Sequence, residues 1–444
     1  MAEISSSTGN TSQNDEDLVV GDAKIEQFEI RGLFGRPLNY IIPFPAPPPN
    51  ASDPELLILS GTNGCGKTTI LRMIDGMLRL DFDTFRQMPF ESAKLTLSTG
   101  EELSVKSRNN KEIPLFVRFN DLSAELRQEK ENYTPEQSQA ISDFRKMARP
   151  ILGNIRFQLL DIHRSSALRQ AVTEQSPIGG LLPRHIDPYA YHNVIQARPD
   201  RGRSDSSNDL ARQVLNFIRE AQLNYRKFFA ADQLELLPRI LSSLTHTQDI
   251  SMPRSELAAK VAAIKLQSPI MARIGLQTDD EDLDTLSVLL SQESRYTDEP
   301  SLAVLATYVA MQETRSQTRD LIAKRLLSFE EIMDDFLVGK TVRVDSRVGL
   351  QIQAPTGTLS ETDLSSGEYH FLYMMVSALL SHRSGSVIAI DEPELSLHVS
   401  WQRRVVSALA RCASGASPLF LFATHSAAIS AEHKDRVKVL SAEE

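Results

Sequence analysis

The chain contains little cysteine and no long apolar run. Cys65 and Cys412 are the only cysteines among its 444 residues. Two cysteines cannot form a disulfide framework, so we expect a reducing, cytoplasmic environment. The absence of any run of about 18 apolar residues excludes a membrane-spanning helix and a membrane partner. Residues 1–22 lack the basic-then-apolar pattern of a signal peptide, and no Cys/His metal spacing or Ser-His-Asp order stands out.

An excess of positive charge is also absent. The chain has 48 Lys and Arg residues against 58 Asp and Glu residues, a net charge of −10. An overall basic surface for nucleic acid is therefore excluded, although a local basic face remains open. The 41% hydrophobic and 24% charged content is ordinary for a globular protein, and the length is enough for two domains.

The clearest motif lies at residues 57–69, where an apolar run is followed by glycines and then by Lys-Thr. The spacing is that of the phosphate-binding P-loop, G-x-x-x-x-G-K-[ST], between a strand and a helix. Lys67 can reach the β- and γ-phosphates, and the Thr68 hydroxyl can ligate Mg²⁺. The candidate nucleotide-binding residues are Gly61, Thr62, Asn63, Gly64, Cys65, Gly66, Lys67, Thr68 and Thr69.

Two further motifs lie in the C-terminal part of the chain. Four apolar residues precede Asp391 and Glu392, as in a Walker B strand. Asp391 would hold Mg²⁺, and Glu392 would orient or deprotonate the attacking water. A candidate anion site opens an apolar helix, where a serine can cap the helix and a glycine allows close approach. It consists of Ser365, Ser366, Gly367 and Glu368.

The order of the motifs resembles that of ABC-type ATPases: P-loop, the L-S-x-G-E signature at residues 364–368, Asp-Glu-Pro, then an apolar strand that ends in histidine. The resemblance implies that Ser365 and Gly367 close over ATP held by the P-loop of a partner. It thus implies ATP and Mg²⁺ as cofactors and self-association in an ATP-sandwiched dimer or a larger ring. It also implies that His425 is the switch histidine at the γ-phosphate. Residues 394–398, which end in His398, would form the D-loop at the dimer interface.

The segments Asp-Glu-Pro-Glu-x-Ser-Leu-His, Leu-Ser-Ser-Gly-Glu and Ala-Thr-His-Ser resemble those of the OLD/RecF/SMC-like branch of these ATPases. Within that branch they are most similar to ATPase subunits of bacterial phage-defence systems of the OLD, Septu and PARIS kind. OLD nucleases continue into a Toprim nuclease domain, whereas this sequence ends at Glu444. The resemblance therefore implies a separate effector protein, such as a Toprim or HNH nuclease.

The hydrophobic pattern predicts an α/β fold: an ABC-type P-loop NTPase head, with a mixed sheet and an antiparallel β subdomain, that carries a largely helical insertion. Residues 120–150 are expected to be helical. The insertion has no clean heptad register and is too short for a long SMC-type coiled coil. The predicted parts are a disordered tail at 1–22, an N-terminal lobe with the P-loop at 23–165, the insertion at 166–335 and a C-terminal lobe at 336–444.

Some residues have two interpretations. The Q-loop residue is either His163, which follows a predicted strand, or Gln158 within that strand. Arg31 and Arg36 either contact the nucleotide or are exposed without a role. The basic loop at 198–203 either touches nucleic acid or is a solvated charge run.

Two functions fit these motifs. The first is an ATPase that hydrolyses ATP and controls a partner effector, a nuclease or toxin, in anti-phage defence. The second is a RecF/SMC-like ATPase that binds DNA directly in repair or recombination, against which the net charge of −10 weighs. A transporter motor is disfavoured because the distance in sequence between Lys67 and Ser365 exceeds that in transporter heads.

Overall fold

The computed structural model describes residues 23–45, 55–107, 115–126, 135–160, 209–245, 252–265, 269–276, 280–291, 299–381 and 385–441. The chain divides into two compact units. The first contains Met1–Pro45, Arg72–Phe157 and Ala442–Glu444, and the second contains Ala46–Leu71 and Gln158–Ser441. The predicted disordered tail, His163 and the basic loop at 198–203 lie outside the described residues.

The described segments contain both strands and helices. The strands are β1 (Ile25–Leu33), β2 (Leu38–Pro43), β3 (Glu55–Ser60), β4 (Ser92–Leu97), β5 (Glu102–Ser107), β6 (Leu115–Phe119), β7 (Leu122–Leu126), β8 (Phe157–Leu160), β9 (Thr341–Asp345), β10 (Gly349–Ala354), β11 (Gly357–Leu359), β12 (Val387–Asp391), β13 (Leu419–Thr424) and β14 (Val437–Val439). The helices are α1 (Lys67–Arg79), α2 (Asp83–Gln87), α3 (Pro135–Leu152), α4 (Asp209–Thr245), α5 (Arg254–Lys265), α6 (Pro269–Arg273), α7 (Asp280–Ser291), α8 (Glu299–Phe336), α9 (Ser366–Leu379), α10 (Val399–Cys412) and α11 (Ala427–Glu432).

The first unit is built on an antiparallel sheet with the order β2-β1-β4-β5-β6-β7. Buried and partly exposed residues alternate along β4, so that Ala93, Leu95 and Leu97 share one face. Alternation of this kind is expected when a sheet packs on a core with one side only. Helix α3 packs on β7.

The expectation of a helix throughout residues 120–150 is wrong at its start. Residues 122–126 form β7, which pairs with β6, and the helix begins only at Pro135. The turn between the strands consists of Asn120 and Asp121, and Asn120 has a positive φ of 50°. Asparagine adopts that conformation more easily than most residues and favours hairpin turns. The charged residues in this stretch resemble those of an exposed helix, so the turn was not recognised from the sequence.

The second unit contains a sheet with the order β14-β3-β13-β12-β8, in which β14, β3, β13 and β12 run parallel. Strands β12 and β13 are buried at every position, which explains their continuous apolar sequence. Because β3 and β12 both pair with β13, the carboxyl ends of these three strands meet at one edge of the sheet. The P-loop, the Asp391-Glu392 pair and the predicted switch histidine, His425, each lie at the carboxyl end of one of these strands. The topology therefore gathers residues that lie far apart in the sequence.

The insertion belongs to the second unit, and α4 and α8 are its long helices, with 37 and 38 residues. They pack on each other, and at 1.5 Å per residue each is about 55 Å long. Helices α5, α7 and the first half of α8 bury a small apolar cluster apart from the main core. No described helix is both long and apolar enough to cross a bilayer. These elements confirm the predicted α/β class of a P-loop NTPase head with a helical insertion.

Candidate functional site

The P-loop connects β3 to α1 and turns through glycines with left-handed backbone angles. Gly64 and Gly66 have φ values of 82° and 99°, which residues with a Cβ atom rarely adopt. The Lys67 side chain is buried and folds back over the loop. Its Nζ donates to the carbonyl oxygens of Gly61 at 2.9 Å and Thr62 at 3.2 Å. The ammonium is therefore held at the loop that would receive phosphate.

The end of β12 meets the start of α1. The Thr68 hydroxyl donates to Asp391 Oδ1 at 3.0 Å, although 323 positions separate the two residues in the sequence. Asp391 is buried, with 7% of its surface exposed. A hydroxyl and a carboxylate are the hard oxygen donors that Mg²⁺ prefers, so the two residues present here fit that ion.

Glu392, the residue after Asp391, has a φ of 50°. A glutamate with a positive φ is uncommon and costs about 1–3 kcal/mol, and such residues cluster at functional sites. Its main-chain N–H donates to Ala423 O at 2.8 Å, which holds the residue against β13. Its side chain is partly exposed at the carboxyl edge of the sheet.

His425 follows β13 and is bonded to Glu394, in the loop after β12. Glu394 Oε1 accepts the main-chain N–H groups of His425 at 2.9 Å and Ser426 at 3.1 Å, and it lies 3.0 Å from His425 Nδ1. The Glu394 side chain is 6% exposed and the His425 side chain 50%. The interpretation of the sequence placed Glu394 in the D-loop but did not foresee this bond. Its position directly after Asp-Glu-Pro was the one available signal.

Ser365 is the N-cap of α9. It forms a capping box with Glu368, whose Oε2 accepts the Ser365 main-chain N–H and hydroxyl, both at 2.8 Å. Lys340 Nζ lies 2.6 Å from Glu368 Oε1. Burial raises the pKa of the Glu368 carboxyl, but the hydrogen bonds from Lys340 and Ser365 outweigh it, so the pKa lies below its ordinary value. Ser366, at the first position of the helix, is exposed.

The first turns of α9 pack on the predicted D-loop. A Cβ atom on Gly367 would overlap the carbonyl oxygen of Ser396, which itself has a φ of 62°. One turn later, His370 Nδ1 lies 3.0 Å from Leu395 O, so Nδ1–H donates to that carbonyl. Burial lowers the pKa of His370. The signature and the D-loop of one chain are therefore in direct contact.

Residues 276–431 match the family model described as "AAA domain, putative AbiEii toxin, Type IV TA system". The matched segment contains Ser365, Asp391 and His425 but not the P-loop. It covers roughly a third of the chain and supports an ATPase domain in its C-terminal part. Among curated proteins, no sequence matches this chain.

The chain is similar to solved structures of SMC heads, with low sequence identity and low TM-scores. The Smc head domain with an extended coiled coil bound to the C-terminal domain of ScpA, from Pyrococcus furiosus, has a TM-score of 0.41 and 13% identity. That alignment covers 92% of this chain and 91% of the other. The SMC head domain from Thermotoga maritima has a TM-score of 0.34, 11% identity and coverage of 92% and 91%. The fold assignment rests on the strand order and loop geometry described above.

The structure also describes Gln158, His398, Arg31 and Arg36, for which the sequence suggested further roles. Gln158 is exposed, and its Nε2 donates to Ser377 Oγ of α9 at 3.4 Å. His398 is the N-cap of α10 and accepts the Ser400 N–H at 3.3 Å. Arg31 and Arg36 are exposed residues of the first unit. Of the two Q-loop candidates, Gln158 is thus the one described, and it contacts the signature helix.

Proposed function

We propose that this protein is an Mg²⁺-dependent ATPase of the ABC type that self-associates around ATP. The observation that carries the proposal is the 3.0 Å hydrogen bond between Thr68 of the P-loop and Asp391 of β12. Two motifs that lie far apart in the sequence meet there, and their oxygen atoms are the ligands that Mg²⁺ requires. A glycine-rich turn that matched the P-loop by accident would have no reason to face this aspartate.

Each residue would have a separate role in hydrolysis. The P-loop N–H groups and Lys67 would bind the phosphates, and the oxygens of Thr68 and Asp391 would hold the metal. Bound Mg²⁺·ATP supplies the phosphoanhydride bond and the charge neutralisation that its cleavage needs. Glu392 would take the proton of the attacking water, and His425 would face the γ-phosphate.

A second copy would complete the site. Ser365 and Ser366 are exposed at the start of a 14-residue helix, where N–H groups and the helix dipole favour an anion. These residues are thus available to ATP bound by another copy. An ATP-sandwiched dimer, closed with itself or within a larger ring, follows from the resemblance to ABC-type ATPases.

We further propose that the ATPase controls a separate effector, a nuclease or toxin, in anti-phage defence. The description of the matched family names a putative toxin of a toxin–antitoxin system. The residues of the motifs also resemble those of defence ATPases. A neighbouring gene for a Toprim or HNH nuclease would favour this role. ATP-dependent, salt-sensitive DNA binding by the protein alone would favour the RecF-like alternative.

Glu392→Gln is the variant that tests the ATPase. We expect it to bind ATP but to lose hydrolysis by about 100-fold or more, because the neutral amide cannot take a proton from water. Light scattering with Mg²⁺·ATP should then show a stable dimer. Glu432→Gln, an exposed position at the end of α11, is the matched control and should hydrolyse ATP like the parent. Hydrolysis by Glu392→Gln at the parent's rate would disprove the role of Glu392.

A further inference from the structure

We propose that Glu394 is a positioning residue that holds the His425 imidazole through Nδ1 and thereby presents Nε2 to the reacting phosphate. The consequence for catalysis rests on the proposed ATPase function. The geometric part does not, since it concerns which ring nitrogen carries the proton in the protein alone.

The contacts of Glu394 Oε1 determine the state of the ring. This one oxygen lies 3.0 Å from His425 Nδ1 and accepts two main-chain N–H groups, at 2.9 and 3.1 Å. A carboxylate oxygen only accepts, so Nδ1 carries the proton and Nε2 of the neutral ring has the lone pair. The carboxylate is buried and the ring is half-exposed, so the ring is attached at Nδ1 to a buried group while part of its surface remains accessible.

Gln402 of α10 braces both partners of this pair. Its Nε2 donates to Leu397 O at 3.0 Å and to Glu394 O at 3.4 Å, so it holds the loop after β12. Its Oε1 accepts the Ser426 hydroxyl at 2.8 Å, so it also holds the residue after His425. The two segments cannot shift independently without breaking these bonds. These bonds support the two segments, whereas the imidazole itself is held by Glu394 Oε1.

The Glu394 carboxylate is compensated on one oxygen only. Glu394 Oε2 is buried and has no hydrogen-bond partner among the described residues, so the donors on Oε1 are the compensation the structure provides for this carboxylate. With Nδ1–H held by the carboxylate, the Nε2 lone pair can accept a hydrogen bond from the water that attacks the phosphate. Glu394 would therefore fix the direction in which the Nε2 edge of the ring faces the reacting groups.

A double-mutant cycle tests whether Glu394 acts through His425. Glu394→Gln keeps the size and one acceptor oxygen but removes the charge. We expect kcat for ATP hydrolysis to fall about tenfold or more, as when a partner that orients a ligand is lost, with KM changed less than about twofold. In the His425→Gln background, Glu394→Gln should cause no further loss. An equal loss in both backgrounds, or parental kcat in the single variant, overturns the proposal.

The tautomer of His425 provides a readout that does not depend on hydrolysis. In protein labelled with ¹⁵N-histidine, the His425 signals are those that disappear in His425→Gln. The parent without ligand should show the Nδ1–H tautomer, and Glu394→Gln should shift it towards Nε2–H. An Nε2–H ring in the parent overturns the inference. A parent with no ATPase activity but an Nδ1–H ring would instead contradict the proposed function alone.

Gln402→Ala is the matched structural control. It loosens the same two segments but does not remove the carboxylate from Nδ1. We expect a lower melting temperature with kcat within about threefold of the parent, since its bonds support the loop and not the ring. A kcat loss equal to that of Glu394→Gln would show that general loosening explains both variants and would overturn the proposal.

Discussion

At the start of α9, Gly367 leaves no room for a side chain, because a Cβ atom there would overlap the carbonyl of Ser396. We expect Gly367→Ala to lower the free energy of unfolding by about 1–3 kcal/mol, the usual cost of overpacking. Denaturant titration measures this change. Ser366→Ala, at the exposed neighbouring position, should stay within about 0.5 kcal/mol of the parent. Equal stabilities of the two variants would contradict the close approach of the signature and the D-loop.

His370 should make stability depend on pH. Its pKa is lowered by burial, so the folded state favours the neutral ring. The unfolded chain therefore binds more protons, and stability falls as pH drops below about 6.5, by up to about 1.4 kcal/mol per pH unit. His370→Asn keeps a donor for Leu395 O but cannot titrate. Urea titrations from about pH 7.5 to pH 5 should show the parent losing stability relative to this variant. A difference that does not change with pH would contradict this sign.

At the scale of elements, Arg325 of α8 joins the insertion to the ends of two head helices. Its Nη2 donates to Ala378 O of α9 at 2.9 Å and also to Ser381 O, and its Nε donates to Cys412 O of α10 at 3.3 Å. Burial lowers the pKa of the guanidinium to about 10, so it remains charged at neutral pH. A cation at helix C-termini is favourable because the carbonyl groups there lack partners within the helix.

Arg325→Leu should therefore destabilise the protein by about 2–3 kcal/mol, because it leaves partly buried carbonyl groups without a charged donor. Lys324→Leu, on the adjacent exposed position of α8, is the matched control and should change stability by about 0.5 kcal/mol or less. Thermal and urea unfolding both measure the difference. If the two variants unfold together, the bonds of Arg325 to the helix ends contribute nothing.

The start of α4 and the residue Lys340 after α8 also contact residues around the signature. At the start of α4, the Ala211 N–H donates to Glu361 Oε1 at 2.9 Å, only a few residues before Ser365. After the end of α8, Lys340 pairs with Glu368. Neither Glu361 nor Lys340 belongs to a recognisable motif, so the interpretation of the sequence missed both.

On the scale of the whole molecule, the two apolar clusters of the second unit should open separately. Leu283 belongs to the small cluster of α5, α7 and α8, whereas Phe422 of the sheet strand β13 belongs to the main cluster. Leu283→Ala should speed amide hydrogen exchange in α5 and α7 and leave β3, β12 and β13 protected. Phe422→Ala should instead speed exchange in the sheet. Faster exchange throughout in both variants would show one cooperative unit.

Much of this architecture could be read from local patterns. Continuous apolar runs predicted β3, β12 and β13, because both faces of these strands are covered. Apolar spacing near 3.6 predicted the long helices of the insertion. The hairpin turn at Asn120 was missed because charged residues on both sides resemble an exposed helix. The roles of the predicted site residues remain predictions, which the variants above test.

The sequence by itself determined the strand–loop–helix of the P-loop, the apolar strand before Asp391 and the capped start of α9, since each depends on neighbours within a few positions. Only the tertiary structure decided which of these meet. Thr68 bonds to Asp391, Glu394 to His425, and Gly367 abuts Ser396 because strand order and helix packing bring their segments together. Contacts between distant positions depend on the free energy of the whole packed core, and no short stretch of sequence encodes that quantity.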